Sequence, residues 1–214
     1  MVEEIIKNRV GRTPLIRAKK LEKELGVQKI YLKLEGNNPS GHREDRLAYL
    51  IIRDAIARDK KTICMGTYGT IGGSLSFLSK YFDVNLIFYV PEKEEINRKK
   101  LFDNGNVEII KFGETYEDCV EESRRIAREK GWYDANFGLA NSVMNMYALS
   151  YVAKEINKQL KDEVADTVFC QTFNGSSIAG LHLGFKDLWI DEDIDELPKL
   201  YAVGTDNGNA IIEA

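Results

Sequence analysis

From position 62 onward the chain alternates short apolar runs with longer amphipathic stretches, the order expected of β-α units feeding a parallel sheet. Thr62 to Met65, Asn85 to Val90 and Val107 to Phe112 read as strands, the second closed by Pro91. Gly72 to Phe82 and Ile96 to Phe102 read as the helices between them, the latter stopped near Asn104 and Gly105. Tyr116 to Lys130 sets Val120, Ile126 and Ala127 on one helical face against many charges, and Gly131 stands where a helix C-cap would. Upstream, Lys29 to Glu35 alternates as a strand does. Arg46 to Ala57 reads as a strong helix preceded by Glu44 and Asp45, acids that suit its positive end. Downstream, Val143 to Leu160 and Ile178 to Leu188 read as helices, and Thr167 to Gln171 and Leu200 to Val203 as strands. The expectation is an α/β protein of two subdomains with parallel sheets. Residues 46–149 form the smaller, doubly wound one, and residues 1–45 with 150–214 belong to the larger.

Composition narrows the function classes. At 214 residues, 43% hydrophobic and 30% charged, the chain can bury a sizeable core without disulfide or metal. Thirty basic and 34 acidic residues are interleaved to a net charge of -4, which gives no electrostatic reason to expect nucleic acid or an anionic membrane as partner. The opening MVEEIIKNRVGRTP lacks the basic and long apolar regions of a signal peptide, and no apolar run is long enough to span a bilayer. A cytoplasmic protein is expected. Cys64, Cys119 and Cys170 are widely separated, with only His42 and His182 beside them in the composition, so buried thiols are expected and a metal site is not. Asp191 to Glu196 reads as a solvated acidic loop.

One loop carries chemistry on physical grounds alone. The strand ending at Gln171 runs into Asn174, Gly175, Ser176 and Ser177 and then a helix from Ile178, so backbone N–H groups and the positive helix end converge on one point. Such a point receives anions, phosphate above all. A strand-to-helix turn with Gly175 supplying positive φ is the plainer alternative.

Three segments in order then carry a resemblance. Gly11-Arg12-Thr13-Pro14-Leu15 is followed by KIYLKLEGNNPSGHREDRLA; Thr67-Tyr68-Gly69-Thr70-Ile71-Gly72 comes next; Asn174 to Gly180 is the third. Together they resemble the pyridoxal-phosphate enzymes of the β-family (fold type II), threonine synthase and cysteine synthase among them. Tyr133 to Asn136 and Val203 to Ile211 are similar to threonine synthase-like members as well. The resemblance implies the tryptophan synthase β-like fold, with part of the larger domain beyond residue 214. It implies a cofactor lying between the subdomains, with its phosphate at Asn174, Gly175, Ser176, Ser177 and Ile178. Thr70 takes the position of the asparagine that meets the cofactor ring. Thr67, Tyr68, Gly69 and Ile71 take the substrate-carboxylate loop.

At the cofactor lysine the chain departs from the family. Asp45-Arg46 fixes the register of the lysine loop, and Glu44 falls where the Schiff-base lysine would. A carboxylate cannot form an imine, and neither Arg43 nor His42 supplies an unprotonated primary amine. Three readings stay open: a noncatalytic relative that binds pyridoxal phosphate noncovalently or another phosphorylated small molecule; a working lyase or synthase of the threonine synthase type acting on amino acids; and a structural protein with no cofactor. A homo-oligomer or a completing partner chain is expected, with no nucleic acid and no membrane.

Overall fold

The computed structural model describes residues 2–67, 69–94, 106–138, 141–161, 163–172 and 175–205. The chain divides into two compact units. One comprises Met1–Gly11 and Gly36–Asn141, the other Arg12–Glu35 and Ser142–Ala214. The segment 36–45 therefore packs with the middle of the chain.

The first unit is built on a four-stranded sheet. Strands β3 (Thr62–Gly66), β4 (Asn85–Val90), β5 (Val107–Lys111) and β6 (Tyr133–Asp134) lie in the order β5-β4-β3-β6, every pair parallel. Thr62 pairs with Asn85 and Leu86 with Val107, so the three expected strands sit side by side. The fourth, β6, is only two residues long and gives no periodic signal; it pairs Ile63 with Tyr133. Both central strands are buried along nearly their whole length, which explains their unbroken apolar character. Cys64, Ile87 and Tyr89 meet Cys119 and Ala127 of α5 (Tyr116–Lys130) on one face. The alternate residues Ile63, Met65, Leu86 and Phe88 are also fully buried, and α3 (Asp45–Ala57) and α4 (Thr70–Ser79) pack with these strands and with each other. Burial pushes the Cys64 thiol up to about 12, which makes it inert as a nucleophile. A short helix, α1 (Val2–Lys7), also belongs to this unit.

Local chemistry fixes the ends of α5. Thr115 accepts at Oγ1 from the Asp118 N–H at 3.1 Å, and Asp118 Oδ2 accepts from the N–H groups of Glu114 and Thr115, each at 2.9 Å. At the other end Gly131 takes a left-handed conformation, φ 67°, and Trp132 N donates to Ala127 O at 2.8 Å, as the sequence led one to expect. The Thr115 and Glu114 N–H groups hold the Asp118 carboxyl below the usual carboxylate range. A carboxyl whose folded pKa is lowered stabilises the fold above its unfolded value and ceases to do so as pH falls through the folded one. Asp118→Asn is therefore expected to lower the thermal unfolding midpoint near neutral pH, with the deficit shrinking in acid. Melting curves at stepped pH would test it; a deficit independent of pH would refute it.

The second unit contains β1 (Leu15–Arg17), α2 (Lys19–Leu25) and β2 (Tyr31–Lys33), then α6 (Ser142–Leu160), β7 (Thr167–Gln171), α7 (Ser176–Ile190) and β8 (Lys199–Val203). Strands β7 and β8 are parallel, with Thr167 opposite Lys199. Strands β1 and β2 are antiparallel, three residues each. The alternation read as a strand from Lys29 to Glu35 is thus cut short. Leu34 N still donates to Pro14 O at 2.9 Å, but Glu35–Asn37 turns into a 3-10 helix, and Glu35 instead accepts from Thr13 Oγ1 at 2.6 Å. The core is the contact of α6 with α7: Leu149, Val152, Ala153 and Ile156 meet Leu181, Phe185 and Leu188. Ile194 anchors the acidic loop into the same cluster.

The helix expected at Ile96 to Phe102, its stop near Asn104, and the segment after Thr205 lie outside the described residues. Among the described residues no helix is long and apolar enough to cross a membrane.

Candidate functional site

The loop of residues 38–46 belongs to the first unit and is held by side chains on its own backbone. Asn38, 4% exposed, accepts at Oδ1 from the Gly11 N–H at 2.8 Å, and its carbonyl accepts from Gly41 N at 2.9 Å. Ser40 donates from N to Asp45 Oδ2 at 2.7 Å and from Oγ to Asp45 Oδ1. The same Oγ lies 3.2 Å from Ser74 Oγ on α4 and 3.2 Å from His42 Nδ1. Asp45 is fully buried, and loss of solvent raises its carboxyl pKa against the lowering effect of the Ser40 and Ser74 hydrogen bonds. Asp45 is therefore a fastener that ties the loop across the start of α3.

Glu44 occupies the N-cap position of α3 but its side chain caps nothing. It turns instead to Arg43, Oε1 to Nε 3.1 Å, with 24% of its side chain exposed. A partly exposed carboxylate paired with a guanidinium can accept hydrogen bonds and balance charge. It cannot make a covalent link to an aldehyde.

The loop of residues 67–72 lies in the same unit, at the carboxyl end of β3. Thr67 is buried, donates from N to Tyr89 O at 3.0 Å and accepts at Oγ1 from Gly69 N at 3.4 Å. Gly69 is the N-cap of α4, and a Cβ built there would meet nothing within 4 Å, so the space beside it is open. Thr70 is half-buried at the first helical position, with N–H groups of the first turn that have no partner inside the helix. Ile71 is 7% exposed, so residue 71 meets a ligand only through its backbone. Tyr68 lies outside the described residues. Within this unit, Ser40 of the 38–46 loop meets Ser74 on α4, the helix that the 67–72 loop opens.

The glycine- and serine-rich loop lies in the second unit. Gly175 sits at φ 79°, ψ -17°, a left-handed conformation that a β-branched residue resists, directly before α7. Ser176, Ser177 and Ile178 form the first turn, and Ala179 N donates to Gly175 O at 3.0 Å. Ser177 is 5% exposed, whereas Ser176 is half-buried and accepts at Oγ from Asn145 Nδ2 at 3.0 Å. Asn174 lies outside the described residues. A positive-φ glycine followed by first-turn N–H groups and two hydroxyls is a donor set that fits a phosphate group.

Two lysines near the family motif have other work. Lys33 donates to Thr13 O at 2.7 Å, Glu155 Oε2 at 2.7 Å and Gln159 Oε1 at 2.8 Å, using all three of its donors. Lys29 is 2.8 Å from Glu163, whose hydrogen bond raises the amine's pKa. Both amines are engaged by acceptors rather than free to meet an aldehyde.

Sequence reasoning missed four polar residues here: Asn38, Ser74, Asn136 and Asn145. Asn136 accepts at Oδ1 from Gly66 N at 2.9 Å and so ties the end of β3 to the Tyr133 to Asn136 stretch. Their signal is weak, a lone asparagine or serine at a position that turns out buried or half-buried; the resemblance ran over Asn38 and Asn136 without giving either a role.

Comparison with known proteins places this geometry in context. The profile of the family described as "Pyridoxal-phosphate dependent enzyme" matches residues 6–214. Threonine synthase of Methanocaldococcus jannaschii is 30% identical over 207 residues, covering 95% of this chain and 50% of that protein. Cysteine synthase of Dictyostelium discoideum is 29% identical over 190 residues, covering 84% and 49%. Among solved structures, cysteine synthase from Entamoeba histolytica superposes with a TM-score of 0.78 at 21% identity, over 98% of this chain and 62% of that one. A fungal L-serine ammonia-lyase from Rhizomucor miehei gives 0.78 at 21%, over 95% and 62%. These structures share the fold. The chain spans about half the length of the curated relatives it matches.

Proposed function

The chain belongs to the pyridoxal-phosphate dependent enzyme family, and from that premise we propose that it is a threonine synthase-like member that keeps phosphate recognition and lacks lysine-dependent catalysis. The observation that carries the reading is Glu44. It stands in the lysine register set by Asp45-Arg46, and its carboxylate faces Arg43. Gly175, Ser176, Ser177 and Ile178 would hold the phosphate of the cofactor, with Asn174 beside them in sequence; in sequence Thr70 takes the position of the family asparagine that meets the cofactor ring. The cofactor, when bound, supplies an electron sink for amino-acid chemistry. The residues of this chain contribute the rest. Thr67 shapes the 67–72 loop, and Gly69 and Ile71 would offer backbone donors for a substrate carboxylate, with Tyr68 next to Gly69 in sequence, while Asp45 holds the 40–46 hook in one conformation. A ligand so held is a phosphorylated small molecule or an amino acid, and its retention is noncovalent.

The deciding experiment incubates the protein with pyridoxal phosphate, follows absorbance, reduces with borohydride and maps any adduct by mass. Saturable binding without an adduct supports the proposal. An adduct in the unaltered protein favours a second reading, a working synthase of the threonine synthase type, which rests on the 30% identity with that enzyme. No binding at all sinks both and leaves a structural role.

Within that proposal the loop geometry makes a ranked prediction. Gly175→Val is expected to weaken pyridoxal-phosphate binding by about tenfold, because a left-handed β-branched residue costs about 1–2 kcal/mol and reshapes the donors. Ser176→Ala removes one hydroxyl among several donors and is expected to cost less. Equal binding by Gly175→Val and the parent, measured by titration, would refute the assignment.

Self-association or a completing chain is proposed on the exposed aromatic face of β7 and β8. Phe169 and Tyr201 stack there at 5.1 Å, 70% and 48% exposed. Sedimentation giving only monomer at high concentration would count against it.

A further inference from the structure

Away from the loops just described, the first unit holds a cavity of about 240 Å³ at the end of α5, lined by Arg124, Arg128, Trp132, Asp134, Gly138 and Asn141 among others. Its charge balance is uneven. Arg124 and Arg128 stand one turn apart on α5 and present two guanidinium groups to the same space. The carboxylate that lines it, Asp134, is already engaged: Oδ2 takes Arg124 Nε at 3.3 Å, and Oδ1 takes Asn136 N at 2.9 Å and Asn136 Nδ2 at 2.7 Å. Of the acids on α5, Glu122 and Glu129 are both bound to Arg125 at 2.6 Å. The Arg128 side chain has no hydrogen bond or ion pair among the described residues and is exposed. Arg124 spends Nε on Asp134 and Nη2 on Phe137 O at 3.2 Å, which leaves Nη1.

The rest of the lining is shaped for an organic body rather than a bare ion. Trp132 follows the Gly131 cap, is half-buried against the Cys64 and Cys119 cluster and lines the cavity. At Gly138, φ 95°, a Cβ would meet nothing within 4 Å, so the backbone there leaves room. An uncompensated guanidinium, a second one partly engaged and an indole bounding one small space form a recognition set for a flat anion, because guanidinium binds carboxylate in a two-pronged fashion and an aromatic surface accepts an apolar or planar body.

We infer that this cavity is a second ligand site, for a small organic carboxylate whose charged end meets Arg128 and Arg124 and whose body lies against Trp132. It shares no residue with the 38–46, 67–72 or 175–178 loops and stands whether or not pyridoxal phosphate binds there.

The test uses the two tryptophans of the chain, Trp132 and Trp189. In a Trp189→Phe background, where Trp132 is the sole indole, benzoate is titrated at constant ionic strength and fluorescence is read, with uncharged benzamide as the matched control. A saturable change with benzoate, absent with benzamide, is expected. Arg128→Gln should weaken it by about tenfold, the effect of losing a charge-assisted contact, whereas Lys130→Gln, an exposed cation of α5 that does not line the cavity, should leave it unchanged. Circular dichroism confirms that each variant is folded; Arg128 is exposed and unpaired among the described residues, so its loss does not threaten the helix. No saturable response, an equal response to benzamide, or undiminished binding by Arg128→Gln would each overturn the inference.

Discussion

Replacing Glu44 with lysine is expected to turn a chain that forms no borohydride-stable link with pyridoxal phosphate at this position into one that forms it near-stoichiometrically. The backbone is ready for the change. Residue 44 is the N-cap of α3, and the hook before it is fastened by Ser40 on Asp45, neither of which involves the residue 44 side chain. The electrostatics would favour the new amine as a nucleophile. Arg43, now paired with Glu44 at 3.1 Å, would become a like charge beside it, and the positive end of α3 would act in the same sense. Both disfavour the ammonium form and lower the pKa of a lysine placed there. The fold pays little, about 0.3–1 kcal/mol for exchanging an acid for a base at a helix N-terminus.

Mass mapping after reduction reads the outcome. An adduct on residue 44 of the variant and none in the parent identifies a pyridoxal-phosphate pocket that one substitution disabled. An adduct elsewhere in the parent would show that another lysine has taken the part, against the engagement of Lys29 and Lys33 by their acceptors. Should neither protein react, the assignment of Glu44 to the lysine register would fall or the Thr70 exchange would have removed cofactor binding itself.

The largest loss of stability is expected from Gly184→Ala. On α7 this glycine faces α6 so closely that an added Cβ would stand 2.2 Å from Ser150 O and 2.8 Å from Ala153 Cβ. Gly180, one turn before, is nearly as tight, 2.6 Å from Leu149 Cβ and 2.8 Å from Met146 O. The nearest atoms at both positions include backbone oxygens, which cannot swing aside as a side-chain end can. Inserting a methyl must therefore push the two helices apart and loosen Leu149, Val152, Leu181 and Phe185 together. Alanine gains about 1 kcal/mol over glycine in a helix interior, and overpacking costs about 1–3 kcal/mol and occasionally more. The 2.2 Å approach to a carbonyl puts this site at the upper end, so a net loss of about 2 kcal/mol is expected. Gly36→Ala serves as the control, since its Cβ would meet only Gly41 O at an ordinary 3.8 Å. Urea unfolding curves compare the two, and a Gly184→Ala protein as stable as the control would refute the close contact of α6 and α7.

What the sequence determined by itself follows from how local its signals are. The α5 helix was legible from Tyr116 to Lys130 because its apolar and charged faces lie within it and Gly131 directly follows it. Strands β4 and β7 were legible end to end because turn residues or polar residues bound their apolar runs. The Gly175 turn was also legible, because positive φ at a glycine is a property of adjacent residues. Tertiary structure decided what depends on partners far along the chain. Strand β2 ends at Lys33 because its three-residue partner β1 does, although the alternation runs on to Glu35. Strand β6 exists as a strand only because β3 lies beside it, and Asn136 is fixed by Gly66, 70 residues away. The segment 36–45 joins the middle unit through contacts such as Asn38 with Gly11 and Ser40 with Ser74, which no periodicity encodes. A hydrogen bond across such a distance leaves no trace in local pattern, since either side chain alone is an ordinary polar residue, and its meaning arises only when folding buries the pair.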